Sequence, residues 1–315
     1  MFRKAIIFGI KGKKLTSFEK SFFKKNKPWG LIIFSRNVES LKQLKKLIDE
    51  IKSIMKDKNY PILIDQEGGR VSRLNRIMDF QIFSQDFFAK LYKRNNKNFI
   101  HTYKVYINTV SNIFKSVGIN INTAPVLDVK VNNGNNIIGN RAFSNDPNLV
   151  AKLGNICVDF YSKNKIATVV KHIPGHGKSK FDSHHKVSII KSAKTKLIKE
   201  DFKPFKKSHS FFAMTAHLIY QKFDSKNTAT HSKIIINNLI RKSIGFKGIL
   251  ISDDISMKAL KYNLNVNAIK ALEAGCNLVL HCNGNIKEMI KLSKVIPLID
   301  EFTQKKTSDF YDFLG

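Results

Sequence analysis

Eight short runs rich in Ile, Val, Leu and Phe recur along the chain, at 5–10, 30–34, 61–64, 121–129, 167–170, 211–216, 248–251 and 277–280. Each has the length of a strand and is apolar on both faces, as a parallel strand covered from both sides must be. Between them lie longer stretches with apolar residues at helical spacing. Leu41, Leu44, Leu47, Ile48 and Ile51 form one such stripe, and Val150, Leu153, Ile156, Val158 and Phe160 another. Ile286, Met289, Ile290, Leu292 and Val295 form a third. Strand and helix candidates alternate without a Gly-, Pro- or Ser-rich linker, which predicts parallel strands joined by crossover helices. Eight such units in 315 residues suit a single α/β (β/α)8 barrel of the TIM type, or a distorted relative of one. A doubly wound open sheet is the structural alternative, but the first βα turn has no GxGxxG phosphate cradle. No repeat of fixed period is visible. The Asn- and Gly-rich segment 132–140 reads as a loop. Residues 1–300 are expected to form the barrel, and residues 301–315 a loose C-terminal tail.

Composition matters at one point, the sign of the charge. The chain carries 55 Lys+Arg against 24 Asp+Glu, a formal net charge of +31. A charge of that size raises a nucleic-acid reading, because clustered cations release counterions from phosphate. Only eight of the basic residues are Arg, the side chain that reads phosphate and guanine bidentately, and the other 47 are Lys spread over the whole sequence. The expectation is a solvated lysine surface with no nucleic-acid partner. No apolar run approaches the ~18 residues of a membrane span, and the apolar stretch after Lys4 is too short for a signal peptide. Cys157, Cys276 and Cys282 are odd in number and form no CxxC pair, so no disulfide framework or thiol-rich zinc site is expected. A soluble, cytoplasmic monomer is the expected state.

The strand candidates end in polar residues, where a barrel keeps its chemistry. Asp65, Asp128, Lys171-His172, His217, Asp253-Asp254 and His281-Cys282-Asn283 all stand at such ends. Any one of these could cap the following helix; six in register around one rim are harder to assign to capping.

Three segments stand out. In the first, Asp65-Gln66-Glu67-Gly68-Gly69-Arg70-Val71-Ser72-Arg73 sets two carboxylates and two guanidiniums around a glycine pair. For Glu67 and Arg70 an internal salt-bridge network and a ligand contact are equally good readings. In the second, Lys171-His172-Ile173-Pro174-Gly175-His176-Gly177 is followed by Asp182-Ser183-His184-His185, placing four of the nine histidines within fourteen residues. The intervening Pro-Gly keeps His172 and His176 from sharing a helix face as zinc ligands do, so no metal is expected. Asp-x-His suits proton transfer: the carboxylate holds one imidazole nitrogen and leaves the other free. His185 reads as a surface neighbour. In the third, Ser252-Asp253-Asp254-Ile255-Ser256-Met257, an aspartate at a strand end is a candidate nucleophile or base. Asp254 beside it reads as a cap or hydrogen-bonding support.

Together these segments resemble glycoside hydrolase family 3, specifically its single-domain bacterial β-N-acetylhexosaminidases of peptidoglycan recycling. The resemblance spans nearly the whole chain. It includes the runs 30–37, 63–71, 124–129, 138–141, 171–177, 182–184, 245–248, 252–257 and 274–278, and its most specific parts are Lys-His-x-Pro-Gly-His-Gly and Ser-Asp-Asp-x-Ser-Met. It implies a (β/α)8-like barrel, a retaining mechanism, no cofactor and a carbohydrate substrate, an amino sugar from muropeptides. It places the nucleophile on Asp253, the general acid/base on His184 and its orienting partner on Asp182. It assigns Asp65, Arg73, Arg141, Lys171 and His172 to holding the amino sugar. Lys178, Lys180 and the residues after His184 depart from the family pattern. The implied activity is release of terminal β-linked GlcNAc from GlcNAc–anhydroMurNAc. A β-N-acetylglucosaminide phosphorylase on the same site is the alternative, since a neutral imidazole base does not repel incoming phosphate. The rival of another class is a polyanion-binding protein on an inactive barrel, against which the intact Asp253, His184 and Asp182 argue.

Overall fold

A computed structural model describes residues 2–131, 138–179, 181, 183 and 186–315. Its strands in chain order are β1 (Lys4–Gly9), β2 (Pro28–Ile33), β3 (Ile62–Ile64), β4 (Ile121–Asn122), β5 (Ala167–Ile173), β6 (Ser188–Ile190), β7 (Phe212–Thr215), β8 (Leu218–Tyr220), β9 (Ile249–Asp254) and β10 (Leu278–His281). Eight of them close a barrel in the order β1–β2–β3–β4–β5–β7–β9–β10, and β10 pairs back with β1. Every pairing is parallel. The closed sheet replaces the doubly wound alternative, and each of the eight apolar runs supplies one barrel strand. β2 and β5 are buried along their whole length, which is why their sequences show no polar alternation.

The helical stripes pack as their spacing predicts. Helix Leu41–Met55 is capped by Ser40, whose hydroxyl accepts from the Gln43 amide, and it buries Leu44, Leu47, Ile48 and Ile51. Each of those side chains contributes about 1.5–3 kcal/mol of burial, so Leu47→Ala would open a cavity costing about 2–5 kcal/mol. Helix Pro147–Lys163 starts with Asp146 as its cap and Pro at its first position, and buries Val150, Leu153 and Val158.

Three features depart from the sequence expectation. The fourth run was expected to extend through 129 but pairs as a strand only at Ile121–Asn122; beyond it one bridge links Val126 to Lys171. Pro125 has no N–H to give the ladder, so the sheet breaks there. The chain after Glu301 is not a loose end. It forms helix Glu301–Leu314, capped by Asp300, with Thr303, Thr307 and Phe310 buried. Thr307 accepts a 2.9 Å bond from the Trp29 indole, Thr303 accepts from Asn277, and Phe310 packs edge-on to Phe212. Trp29, Asn277 and Phe212 stand at or just before strand starts, so this helix covers the N-terminal face of the barrel. Finally, β6 and β8 form a separate two-stranded parallel sheet, Ser188 opposite Leu218. It ties the chain returning from the loop after β5 to the segment after β7.

Cys157 and Cys276 are buried free thiols and Cys282 is half-buried. Among the described residues no helix is long and apolar enough to cross a membrane.

Candidate active site

The C-terminal ends of the strands surround a cleft of about 750 Å³. Asp65, Arg73, Arg141, Lys171, His172 and Asp253 all line it, so six of the eight residues singled out in the sequence meet in one place. Asp182 and His184, with Lys180, His185 and residues 132–137, lie outside the described residues. Ser183, between Asp182 and His184 in the chain, is described and lines the same cleft.

One wall is a network of charges. Asp65, just past β3, accepts from Arg73 Nη2 at 2.6 Å, from Lys171 Nζ at 2.5 Å and from Thr123 Oγ1 at 2.8 Å. Glu67 takes a bidentate contact from Arg141, at 2.7 and 2.8 Å, and a second cation from Lys171 Nζ at 2.7 Å. Lys171 is therefore shared between two carboxylates, and it is the one lysine buried among the described residues. Burial alone would raise both carboxyls, but Lys171 with Arg73 holds Asp65 well below its ordinary value, and Arg141 with Lys171 does the same for Glu67. Burial would lower the Lys171 ammonium, yet the two carboxylates outweigh it and raise it. All three stay charged near neutral pH. Gly68 makes the turn possible: at φ +87° a Cβ there would stand 2.2 Å from the Phe83 carbonyl.

A second network organises the histidines. Asp128 is fully buried; its Oδ2 accepts from His172 Nδ1 at 2.7 Å and its Oδ1 from the His172 and His176 amides at 3.2 and 2.6 Å. Burial would raise this carboxyl, but His172 holds it below the ordinary value, so it accepts as an anion. His176 sits 5.4 Å from the His172 ring, centroid to centroid, and its Nε2 lies 2.9 Å from Ser183 Oγ. The chain passes close to Val129 at Gly177, where a Cβ would meet the Val129 carbonyl at 1.8 Å.

Across the cleft, β9 ends at Asp253-Asp254. Asp253 Oδ1 accepts from the Asp254 amide at 2.8 Å. Burial pushes this carboxyl up, but the imidazoles of His217 and His172, the Asp254 amide and Lys171 hold it below the ordinary value. It stands in the cleft as a carboxylate. Asp254 is occupied differently: its oxygens accept from Ser256 N, Ser256 Oγ and Cys282 N at 3.1, 2.8 and 3.3 Å. His217, fully buried, donates Nε2–H to the Asp254 carbonyl at 3.0 Å and accepts at Nδ1 from Thr230 Oγ1 at 2.7 Å. Burial lowers its pKa, against the opposing pull of the Asp253 carboxylate. Phe34, Met214, Met257 and Leu280 give the cleft an apolar side.

Lys178 does not add free charge to the loop after β5. Its ammonium pairs with Glu200 at 2.7 Å and with the buried Asp201. Sequence reasoning left Glu67 open, and it belongs to the internal ion network. It passed over Thr123 and Thr230, which bond Asp65 and His217; a threonine in a buried run carries no distinguishing pattern. Asp128 did leave a signal, as the one charge in the run 121–129.

Residues 7–307 match the model of the glycosyl hydrolase family 3 N terminal domain. A β-hexosaminidase of Hydrogenovibrio crunogenus is 33% identical over 271 residues, covering 84% of this chain and 75% of its own length. The solved structure of NagZ from Neisseria gonorrhoeae in complex with N-trifluoroacetyl-D-glucosamine is similar over 100% of this chain and 90% of that one, with a TM-score of 0.88 and 26% identity. A glycoside hydrolase family 3 β-N-acetylglucosaminidase from Paenibacillus sp. strain FPU-7 gives a TM-score of 0.84 at 26% identity over 98% of this chain, which spans 60% of that protein's length.

Proposed function

This chain belongs to glycosyl hydrolase family 3 and is a glycoside hydrolase; from that premise we propose that it is an exo-acting, retaining β-N-acetylglucosaminidase. Its proposed substrates are peptidoglycan fragments ending in β-linked GlcNAc, such as GlcNAc–anhydroMurNAc muropeptides. The observation that carries the reading is the ionised Asp253 facing the Asp65–Lys171–Arg73 and Glu67–Arg141 network across one cleft.

A retaining glycosidase needs a nucleophile on one face of the anomeric carbon and a proton donor at the leaving oxygen. Asp253 is free for the first role, because Asp254 spends its oxygens on Ser256 and Cys282. The second role is given to His184, oriented by Asp182. Protonated, the imidazole gives its proton to the departing oxygen; neutral, it takes one from the water that releases the sugar, and both forms are accessible near neutral pH. In this scheme Asp65, Arg73, Arg141, Lys171 and His172 bind the terminal sugar. The charged network offers fixed donors and acceptors to its hydroxyls, and Met214, Met257 and Phe34 offer an apolar surface. The relatives' names point to a 2-acetamido sugar.

The test compares p-nitrophenyl β-GlcNAc with p-nitrophenyl β-glucoside, with and without inorganic phosphate. Hydrolysis of the first without phosphate, faster than the second by about 10–100-fold, is the expected result, since losing the amide's hydrogen bonds is worth about 1–3 kcal/mol. Preference for the glucoside would overturn the amino-sugar reading. Turnover that needs phosphate and yields a sugar phosphate would make the enzyme a phosphorylase.

A further inference from the structure

The face of the barrel opposite the cleft has a chemistry of its own. Every barrel pairing is parallel, so the turns that lead from a helix into a strand all open on that face. Glycine closes three of them in the left-handed conformation: Gly118 at φ +93°, Gly245 at +83° and Gly275 at +116°. In the turns before β2, β3, β5 and β7 the left-handed residue is a lysine instead: Lys27 at +45°, Lys56 at +52°, Lys165 at +60° and Lys207 at +62°. Among the described residues no other side chain is held at positive φ. A Cβ makes that conformation costly. Asn tolerates it better and is common in the sequence, yet takes none of the four positions. All four lysines are exposed, as are Lys58 and Lys247 in the turns before β3 and β9. Apolar side chains stand beside them. Residues 3–5 run antiparallel to 297–299, with the Ile299 amide donating to the Arg3 carbonyl at 2.8 Å and Lys4 opposite Leu298. At this edge Phe2 is 80% and Leu298 51% exposed, and Phe302 continues it onto the helix that covers the face. Phe302 also opens, with Phe246, Lys247 and Lys306, a shallow groove of about 920 Å³. Part of the acidic charge here is already spent. Asp57 pairs with Arg3 and Tyr311, Asp300 caps the final helix through the Thr303 amide at 2.8 Å, and Asp309 holds Lys306 at 2.8 Å.

We propose that this face docks on the surface of an anionic lipid bilayer, with the turn lysines against headgroup phosphates and Phe2, Leu298 and Phe302 sunk into the interface. Ammonium groups on long stems are drawn to a negatively charged membrane surface, and apolar side chains beside them add burial that water does not offer. Apolar residues exposed singly need no explanation; three that adjoin a set of cations on one face form a patch. They are also what separates a bilayer from a soluble polyanion, which has no apolar layer to receive them. The lysines carry the second argument. Strain retained in four turns, where glycine serves elsewhere in the same fold, points to a use for the charge. The cleft opens at the other end of the barrel, so a docked molecule keeps it facing solution. The proposal does not depend on which sugar the cleft takes.

The test is co-sedimentation of the full chain with large unilamellar vesicles, of phosphatidylcholine alone or mixed equally with phosphatidylglycerol, at about 0.15 M salt. The parent should pellet with the mixed vesicles and stay in solution with the neutral ones. The triple variant Lys27→Gly, Lys56→Gly, Lys207→Gly should lose on the order of 100-fold in partitioning, about fivefold per lysine. Its Tm should equal or exceed the parent's, because glycine relieves the three turns. The pair Leu298→Ser, Phe302→Ser should lose about tenfold or more. A control, Lys42→Gln, Lys46→Gln, Lys97→Gln, removes the same charge from exposed positions on flanking helices. It should lose less than about threefold, since charges farther from the bilayer are screened. No pelleting with the mixed vesicles, equal pelleting with the neutral ones, or equal losses for the two lysine triples would overturn the proposal. So would undiminished binding by the Leu298–Phe302 variant with heparin competing for the same lysines, which would make the face a site for soluble polyanions.

Discussion

Lys171 joins the two carboxylates of the charge network, so Lys171→Met is the sharpest probe of what the network contributes. Its Nζ contacts Asp65 at 2.5 Å and Glu67 at 2.7 Å, and the side chain is 3% exposed. Removing one partner of a buried ion pair costs about 3–5 kcal/mol, because the charge left behind is neither solvated nor paired. Here each carboxylate keeps a guanidinium, Asp65 with Arg73 and Glu67 with Arg141. The loss should therefore lie near the lower end, about 3 kcal/mol, or on the order of 5–10 °C in Tm for a chain of this size. The pH dependence gives a second signature. Both carboxyls titrate below their ordinary values, so the stability they contribute is complete above about pH 4.5 and is lost as the pH falls through the lowered values. With one cation fewer they titrate higher, and the folded variant takes up a proton earlier on acidification than the parent does. The deficit should be largest near about pH 7.5 and shrink towards about pH 4. Thermal unfolding followed by circular dichroism across that range measures both. A variant as stable as the parent at neutral pH, or a deficit that grows on acidification, would refute the idea that Lys171 neutralises this pair.

Three further outcomes follow from the site. Asp182→Asn should lower turnover of the disaccharide by one to a few powers of ten, since general acid–base assistance is worth about 10²–10⁴-fold; a rate equal to the parent's would remove Asp182 from the mechanism. Activity should survive exhaustive EDTA treatment, because the proposed chemistry runs on a carboxylate and an imidazole; loss restored by added zinc would contradict it. Affinity for duplex DNA should be weak and fall steeply with added salt, as for delocalised lysine charge; nanomolar binding at physiological ionic strength would assign the charge a function.

The barrel was legible because its strands are parallel and covered on both sides, so their apolar runs stand out from amphipathic helices. β6 and β8 were not. Each has three residues, and their pairing joins Ser188 to Leu218 across thirty positions, which leaves no local pattern. Helix Glu301–Leu314 was missed for a different reason. Its buried face is Thr303, Thr307 and Phe310 while Phe302 is 43% exposed, so helical spacing is present but hydrophobic spacing is not. Asp300 as a cap was the available signal. In the site, the residues with unusual chemistry at strand ends could be named, because charges are rare where a barrel strand stops. Their partners could not. Thr123 bonds Asp65 and Thr230 bonds His217 only through tertiary contact, and Lys178 reads as loop charge until Glu200 and Asp201 are seen beside it.

The measurement that bears most directly on the mechanism is the position of a trapped sugar. A slow fluorinated β-GlcNAc analogue, incubated with the enzyme and followed by digestion and mass spectrometry, should add one sugar mass to the peptide containing residues 252–257. Fragmentation should place it on Asp253, whose carboxylate faces the cleft and accepts from the Asp254 amide. Proton resonance of the first product should show retained configuration. A label on Asp254 or Asp65, or an inverted anomer as first product, would contradict the account.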